Sequence, residues 1–183
     1  MRFEPVTFTL KDGRECTLCN ATKEHAQGML DFLLKSSEET DFLLRNPDEV
    51  NYTLDDEIEI LESKLDDPYS VFIAAIVDGK VAGNCAVYGL SYKRRIRHRS
   101  TFAIALLKEY WGLGIGSRML PLSLKLAKEM RYESIELEVV SVNHRAVHLY
   151  QKYGYKIYGE REKALKLDDG RYYTELLMRQ DLV

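Results

Sequence analysis

Hydrophobic positions change period several times along the chain, and each change marks an element. Phe8-Thr9-Leu10 and Cys16-Thr17-Leu18 flank Lys11-Asp12-Gly13-Arg14, and Asp-Gly between short apolar runs predicts an opening hairpin. Met29, Leu30, Phe32, Leu33 and Leu34 then form a helical stripe that Asn20 or Thr22 can cap. A polar stretch from Ser36 to Asn51 carries Phe42, Leu43, Leu44 and Pro47. Thr53-Leu54-Asp55-Asp56 reads as a capping box with Asp in place of Glu, and Ile58, Leu61 and Leu65 follow at helical spacing, so a second helix should end before Pro68.

From Ser70 the period shortens. Val71 to Val77 and Val81 to Tyr88, joined through Asp78-Gly79, predict a second hairpin. A strand from Thr101 to Leu107 leads into a glycine-rich loop, then into a helix carrying Met119, Leu120, Leu122, Leu126, Ala127 and Met130, then into a strand from Ser134 to Val140. Strand, loop, helix, strand implies a parallel crossover. Asn143 opens a short helix through Lys152 that Gly154 stops, and strands around Tyr155 to Tyr158 and Tyr172 to Arg179 end the chain, with Leu167 to Arg171 as a turn. Pro121 falls inside the helix after the glycines, where a missing N–H and a ring clash cost roughly 3 kcal/mol; a kink or a shortened first stretch is expected there. The whole is a mixed α/β (α+β) sheet protein. No Pro/Gly/Ser-rich linker divides residues 1–183, so a single domain is expected.

Composition narrows the function classes. With 183 residues, 45% apolar and 30% charged, the chain has one ordinary domain's length and cannot be read as disordered, and no repeat period is visible. The net charge of −3, from 26 basic and 29 acidic residues, gives no sign of a nucleic-acid or anionic-membrane partner. The apolar runs fall far short of the ~20 residues of a spanning helix. Met1-Arg2-Phe3-Glu4-Pro5 lacks the marks of a leader, so a cytoplasmic location is expected. Cys16 and Cys19 form a C-x-x-C, but a strand points them to opposite faces and no second ligand pair exists; neither zinc nor a redox pair is expected.

The chemistry begins at Gly112, Gly114 and Gly116, at alternate positions between a strand and a helix. Such a loop lets backbone N–H groups at a helix N-terminus face an anion, so a phosphate-bearing ligand is implied; a ligand-free turn is the alternative. The spacing is neither G-x-G-x-x-G nor a loop ending in Gly-Lys-Ser/Thr, which argues against a dinucleotide or a nucleoside triphosphate. Arg118 either adds charge to a bound diphosphate or is a solvated helix-surface residue.

These residues resemble the GNAT superfamily of acyl-CoA-dependent N-acetyltransferases. The family signature Q/R-x-x-G-x-G/A stands here as Trp111-Gly112-Leu113-Gly114-Ile115-Gly116, with Trp in place of a polar first residue, as in relatives of the ribosomal-protein N-terminal acetyltransferases. A second block, Leu137-Glu138-Val139 and then Asn143, Ala146, Leu149, Tyr150, Lys152, Gly154 and Tyr155, is similar to the family's N-x-x-A-x-x-L-Y-x-K-x-G-F/Y. The resemblance implies the GNAT fold, a mostly antiparallel mixed sheet whose central parallel strand pair splays apart, flanked by helices. It implies acetyl-CoA in that cleft, the backbone of Ile104, Ala105 and Leu106 pairing with the pantetheine arm, and Gly112, Leu113, Gly114, Ile115, Gly116 and Ser117 holding the diphosphate. Asn143 would help fix the cofactor near its thiol end, and it fits an N-cap equally well.

An ammonium must lose a proton before it attacks a thioester, and the departing thiolate gains one. The resemblance assigns the second step to Tyr150 and places the family's general base at Glu138. Strand alternation puts Glu136 on the same face, and Glu136 or water are the alternatives for the base, as is a solvated strand face for both carboxylates. No Ser-His-Asp or Cys-His pairing suggests a covalent intermediate, so direct transfer in a ternary complex is expected. Cys85 reads as packing, and His144 and His148 as surface histidines, without metal. The acceptor, a protein N-terminus or a small amine metabolite, should enter between the first two helices and the loop Ser91 to Ser100. That loop's five Lys/Arg side chains, Lys93 to Arg99, would suit an acidic acceptor, a peptide on the ribosome or the cofactor's 3′-phosphate, or serve only as a solvated tip. Acidic residues from Glu38 to Glu59 would suit a cationic acceptor instead. A non-catalytic acyl-CoA sensor is the non-enzyme alternative, an NAD-binding protein a more distant one, and a homodimer is left open.

Overall fold

A computed structural model describes residues 1–183. Its elements are β1 (Val6–Thr9), β2 (Glu15–Asn20), α1 (Ala26–Glu39), α2 (Leu54–Asp66), β3 (Ser70–Val77), β4 (Lys80–Gly89), β5 (Arg99–Leu106), α3 (Ile115–Glu129), β6 (Ser134–Val140), α4 (His144–Lys152), β7 (Lys156–Lys166) and β8 (Tyr172–Asp181). The eight strands form one sheet in the order β1-β2-β3-β4-β5-β6-β8-β7. Every neighbouring pair is antiparallel except β5 and β6, the crossover pair that α3 joins. No helix is long and apolar enough to cross a membrane.

Alternation along the strands sorts the sheet into two faces. Cys85 touches Ser123 of α3 across 3.4 Å, so from Gly83 onward the odd-numbered residues of β4 face α3, while α1 and α2 cover the opposite face of β3 and β4; Val81, before the register shift at Ala82, meets Gly28 of α1. Met29, Phe32 and Leu61 are the fully buried anchors on that side; Ile115, Met119, Leu120 and Leu126 anchor the other. The caps form as the spacing predicts. Thr53 Oγ1 accepts the Asp56 N–H at 3.2 Å while the Asp56 carboxylate accepts the Thr53 N–H at 2.8 Å. Thr22, not Asn20, opens the turn Lys23–His25 that runs into α1.

Three expectations need correction. α3 is unbroken across Pro121, without a shortened first stretch. The carbonyl that Pro121 leaves without an intrahelical donor is that of Ser117, and the Tyr153 hydroxyl donates to it at 2.7 Å, so a side chain at the end of α4 replaces the missing bond. β7 reaches Lys166 rather than stopping near Tyr158. It is an edge strand with two register shifts and no fully buried position, so it lacks the period-2 apolar signal. α1 continues to Glu39, into the polar stretch, because that stretch begins with the buried Ser36 on the same helical face as Phe32.

Gly83 shows how tightly β4 and β5 approach. A Cβ there would overlap the Leu106 side chain and lie 2.6 Å from the Ala105 carbonyl oxygen, which as backbone cannot move aside. Gly83→Ala is therefore expected to destabilise the protein by about 2–3 kcal/mol, a fall in Tm of roughly 5–10 °C for a chain of this size, measurable by thermal unfolding.

Candidate active site

β5 and β6 pair at only three positions, Arg99↔Ser134, Ser100↔Ile135 and Thr101↔Glu136, and then diverge. Leu107 N–H bonds Ala82 O at 3.1 Å, which fixes the alternation: odd residues of β5 turn their backbone groups to β4, even residues to the gap. Ile104 and Leu106 thus present backbone polar groups to the opening. Ala105 does not, because its N–H and C=O face Asn84, and it contributes only its small side chain to the wall. The opening is part of a cavity of about 1180 Å³ that runs from the glycine loop past β5 and β6 to the segment between α1 and α2.

At one end, Gly112 and Gly114 have φ of 81° and 106°, a region that side chains rarely adopt, and Gly114 is the N-cap of α3. A Cβ on Gly114 would meet no protein atom. The N–H groups of the first turn, from Gly114 to Ser117, have no intrahelical acceptor and stand at the positive end of a 15-residue helix. The chain therefore offers a cradle that fits a diphosphate. Gly116 is needed for another reason: its Cβ position lies 3.1 Å from Leu149 of α4, a packing contact. Trp111, the departure from the signature, donates its indole N–H to the Leu106 carbonyl at 2.7 Å and so ties the loop to the end of β5. Arg145 of α4 lies 5.3 Å over the Trp111 ring and is the nearest group to Gly112. It is the cation at this loop, while Arg118 rests over Phe8 at 5.5 Å.

Tyr150 of α4 is buried, packed edge-on against Phe102 of β5 and tilted against Tyr155, and it lines the cavity. Burial holds its phenol well above the ordinary tyrosine range, so it stays protonated at neutral pH. Asn143 caps α4, its Oδ1 accepting the Ala146 N–H at 3.3 Å, and the residue lines the cavity.

The carboxylates share the face opposite α3. Glu136 is taken by Arg99, at 2.7 and 2.8 Å. Glu138 is half exposed and held by Arg161 of β7 through both oxygens. Arg161 also reaches Glu175 of β8, a buried carboxylate that neither periodicity nor the family blocks single out. Glu57 on α2 is a second such group, its carboxyl raised by burial against the opposing charge of Arg45. A lone Glu among apolar residues of a strand is the only signal that Glu175 leaves in the sequence; its role depends on β7 and β8 lying beside β6.

The loop from Ser91 to Arg99 does not line the cavity. It precedes β5, and the glycine loop follows it, so roughly 23 Å of strand separates the two. Contact with a 3′-phosphate near the glycines is excluded, and Arg99 pairs with Glu136 instead. Cys16 is buried while Cys19 is half-buried near His25, and His144 and His148 are exposed on α4.

The description acetyltransferase (GNAT) family matches residues 33–155, well over half of the chain. The chain is 30% identical over 111 residues to a Bacillus subtilis protein provisionally named a ribosomal protein bS18-alanine N-acetyltransferase; the match covers 61% of this chain and 65% of that one. It therefore spans just under two thirds of that relative's length. An acetyltransferase of the GNAT family from Streptococcus pneumoniae superposes with a TM-score of 0.86 at 28% identity, over 91% of this chain and 99% of that one. The Salmonella typhimurium protein yncA, solved with acetyl-CoA, shares the fold at a TM-score of 0.80 and 14% identity, over 92% and 94% of the two chains. With the diverging strands, the cradle at α3 and these matches together, the chain belongs to the acetyltransferase (GNAT) family.

Proposed function

We propose that residues 1–183 form one acetyltransferase domain that transfers the acetyl group of acetyl-CoA directly to a primary amine, a protein N-terminal amine or a small amine metabolite. The observation that carries this reading is the divergence of β5 from β6 after Thr101, with the glycine cradle at one side and Tyr150 lining the same cavity. Acetyl-CoA bound there supplies a thioester carbonyl. Ile104 and Leu106 align its arm through backbone groups, Gly112 to Ser117 and Arg145 hold its diphosphate, and the Asn143 amide faces its thiol end. Tyr150 holds a proton at Oη for the departing sulfur. A carboxylate on the acceptor face, or a water there, receives the proton that an ammonium sheds. The cavity continues from the cradle to the segment between α1 and α2, which leaves room for an acceptor and favours turnover over a sensor role. The Bacillus subtilis relative is named for an alanine α-amine acceptor, which makes peptide N-termini the first candidates.

The test is calorimetric titration with acetyl-CoA, with NAD as control, followed by thiol release over a panel of peptide N-termini and small amines. Micromolar acetyl-CoA binding with amine-dependent thiol release supports the reading. Binding without release on any amine supports the sensor, and no binding overturns both.

A further inference from the structure

Glu175 is a buried carboxylate in the cavity wall, and the reaction outlined above gives it no separate role. It pairs in register with Val140, at the end of β6 where the gap to β5 is widest, and its side chain is only 7% exposed. One of its oxygens, Oε2, accepts Arg161 Nη1 at 3.0 Å. Arg161 grips Glu138 differently, with Nη1 on Oε2 at 2.9 Å and Nη2 on Oε1 at 2.8 Å. A carboxylate forked by a guanidinium through both oxygens must give up a charge-assisted bond to take a proton. One held through a single oxygen keeps its other oxygen free.

We propose that Glu175, rather than Glu138, is the carboxylate that receives the acceptor's proton, with Glu138 and Arg161 as positioning residues that set its protonation. The assignment rests on the amine-acetyltransferase reading. The charged groups facing Glu175 are Arg161 from β7 and Glu138 from β6; Glu136, further along β6, is engaged by Arg99 and Tyr158. From the segment after α1, Phe42 packs on Tyr173 and brings no charge. Burial, first, and the adjacent Glu138, second, push the Glu175 carboxyl above its ordinary range, while Arg161 pulls it down. A carboxylate raised in this way is better matched to an ammonium than a solvated one.

The protons balance. Of the three on the ammonium, one passes to Glu175 and on to water. As the C–N bond forms and the C–S bond breaks, a second leaves the nitrogen and makes good, through water, the proton that Tyr150 gives to the sulfur. The third stays on the amide.

The test uses pH profiles of kcat/KM for the wild type, Glu175→Gln and Glu138→Gln, with a carbon-13 titration of the glutamate carboxyls in the wild type. Glu175→Gln should lower kcat/KM about 100-fold and abolish the acid limb. Glu138→Gln removes a like charge and leaves Arg161 to Glu175 alone, so the acid limb should survive and move to lower pH, with less than a tenfold loss. The Glu175 carboxyl should titrate above the ordinary range of a glutamate. An acid limb that disappears in Glu138→Gln and persists in Glu175→Gln overturns the proposal, as does a Glu175 carboxyl that titrates within the ordinary range of a glutamate. Because the carboxyl titration needs no substrate, it judges the pair even if no amine is acetylated, the outcome that would sink the functional reading instead.

Discussion

Replacing Gly114 by Glu is expected to weaken acetyl-CoA binding by on the order of 10²–10³-fold while the protein stays folded. Two causes act together. At φ 106° any side chain is strained, by about 1–2 kcal/mol, and the new carboxylate would project from the N-cap of α3 into the space where a diphosphate meets the first-turn N–H groups. Like charges some 4 Å apart at a protein surface repel by about 4 kcal/mol, which is the larger of the two. Gly114→Ala separates them, since it carries the strain without the charge and meets no protein atom. Both variants should melt a few degrees below the wild type, but only Gly114→Glu should lose most of its affinity. Calorimetric titration of the three proteins checks this. Equal loss in Ala and Glu would mean that the loop's shape matters and its charge does not.

Sequence patterns are informative here where a local rule applies. The unbroken apolar runs of β3 and β4, the Thr53 box and the glycine spacing are each legible within a few residues, and all three appear in the structure. The family blocks place Tyr150 and Asn143 on α4, where Asn143 caps the helix and Tyr150 faces the cavity. What escapes depends on contacts between distant segments. Nothing near Pro121 indicates that Tyr153, on another helix, will satisfy the freed carbonyl of Ser117. The grouping of Glu138, Arg161 and Glu175 exists only because β8 inserts between β6 and β7, an order invisible to periodicity. Trp111 looks like the loss of a polar residue, yet its indole N–H keeps a polar contact with β5. For the basic loop, the strand order removes one of the roles that composition leaves open, contact with the cofactor's 3′-phosphate. The loop's place before β5 puts it at the far end of the strand from the cradle.

Tyr150→Phe is expected to lower kcat about 100-fold with acetyl-CoA affinity and Tm nearly unchanged. The ring alone makes the contacts with Phe102 and Tyr155, at centroid distances of 6.3 and 5.8 Å, and Phe retains both. Removing the hydroxyl therefore deletes a proton donor and little else. Burial suits the phenol to proton donation. Held above its ordinary value, it keeps the proton across the whole neutral range and surrenders it only to a strong base such as a departing thiolate. The alkaline limb of the rate profile then does not report Tyr150 below its ordinary value near ~10. Tyr155→Phe is the control, because the Tyr155 hydroxyl is sealed from solvent without a hydrogen-bond partner. Its deletion should leave kcat within a factor of a few and the stability unchanged or slightly higher. A rate in Tyr150→Phe equal to the wild type, measured at saturating acetyl-CoA and acceptor, would transfer the acid role to water. A collapse in affinity along with the rate would show instead that Tyr150 shapes the cleft. Loss of kcat alone, with Tyr155→Phe unaffected, is the pattern that a proton donor at this position requires.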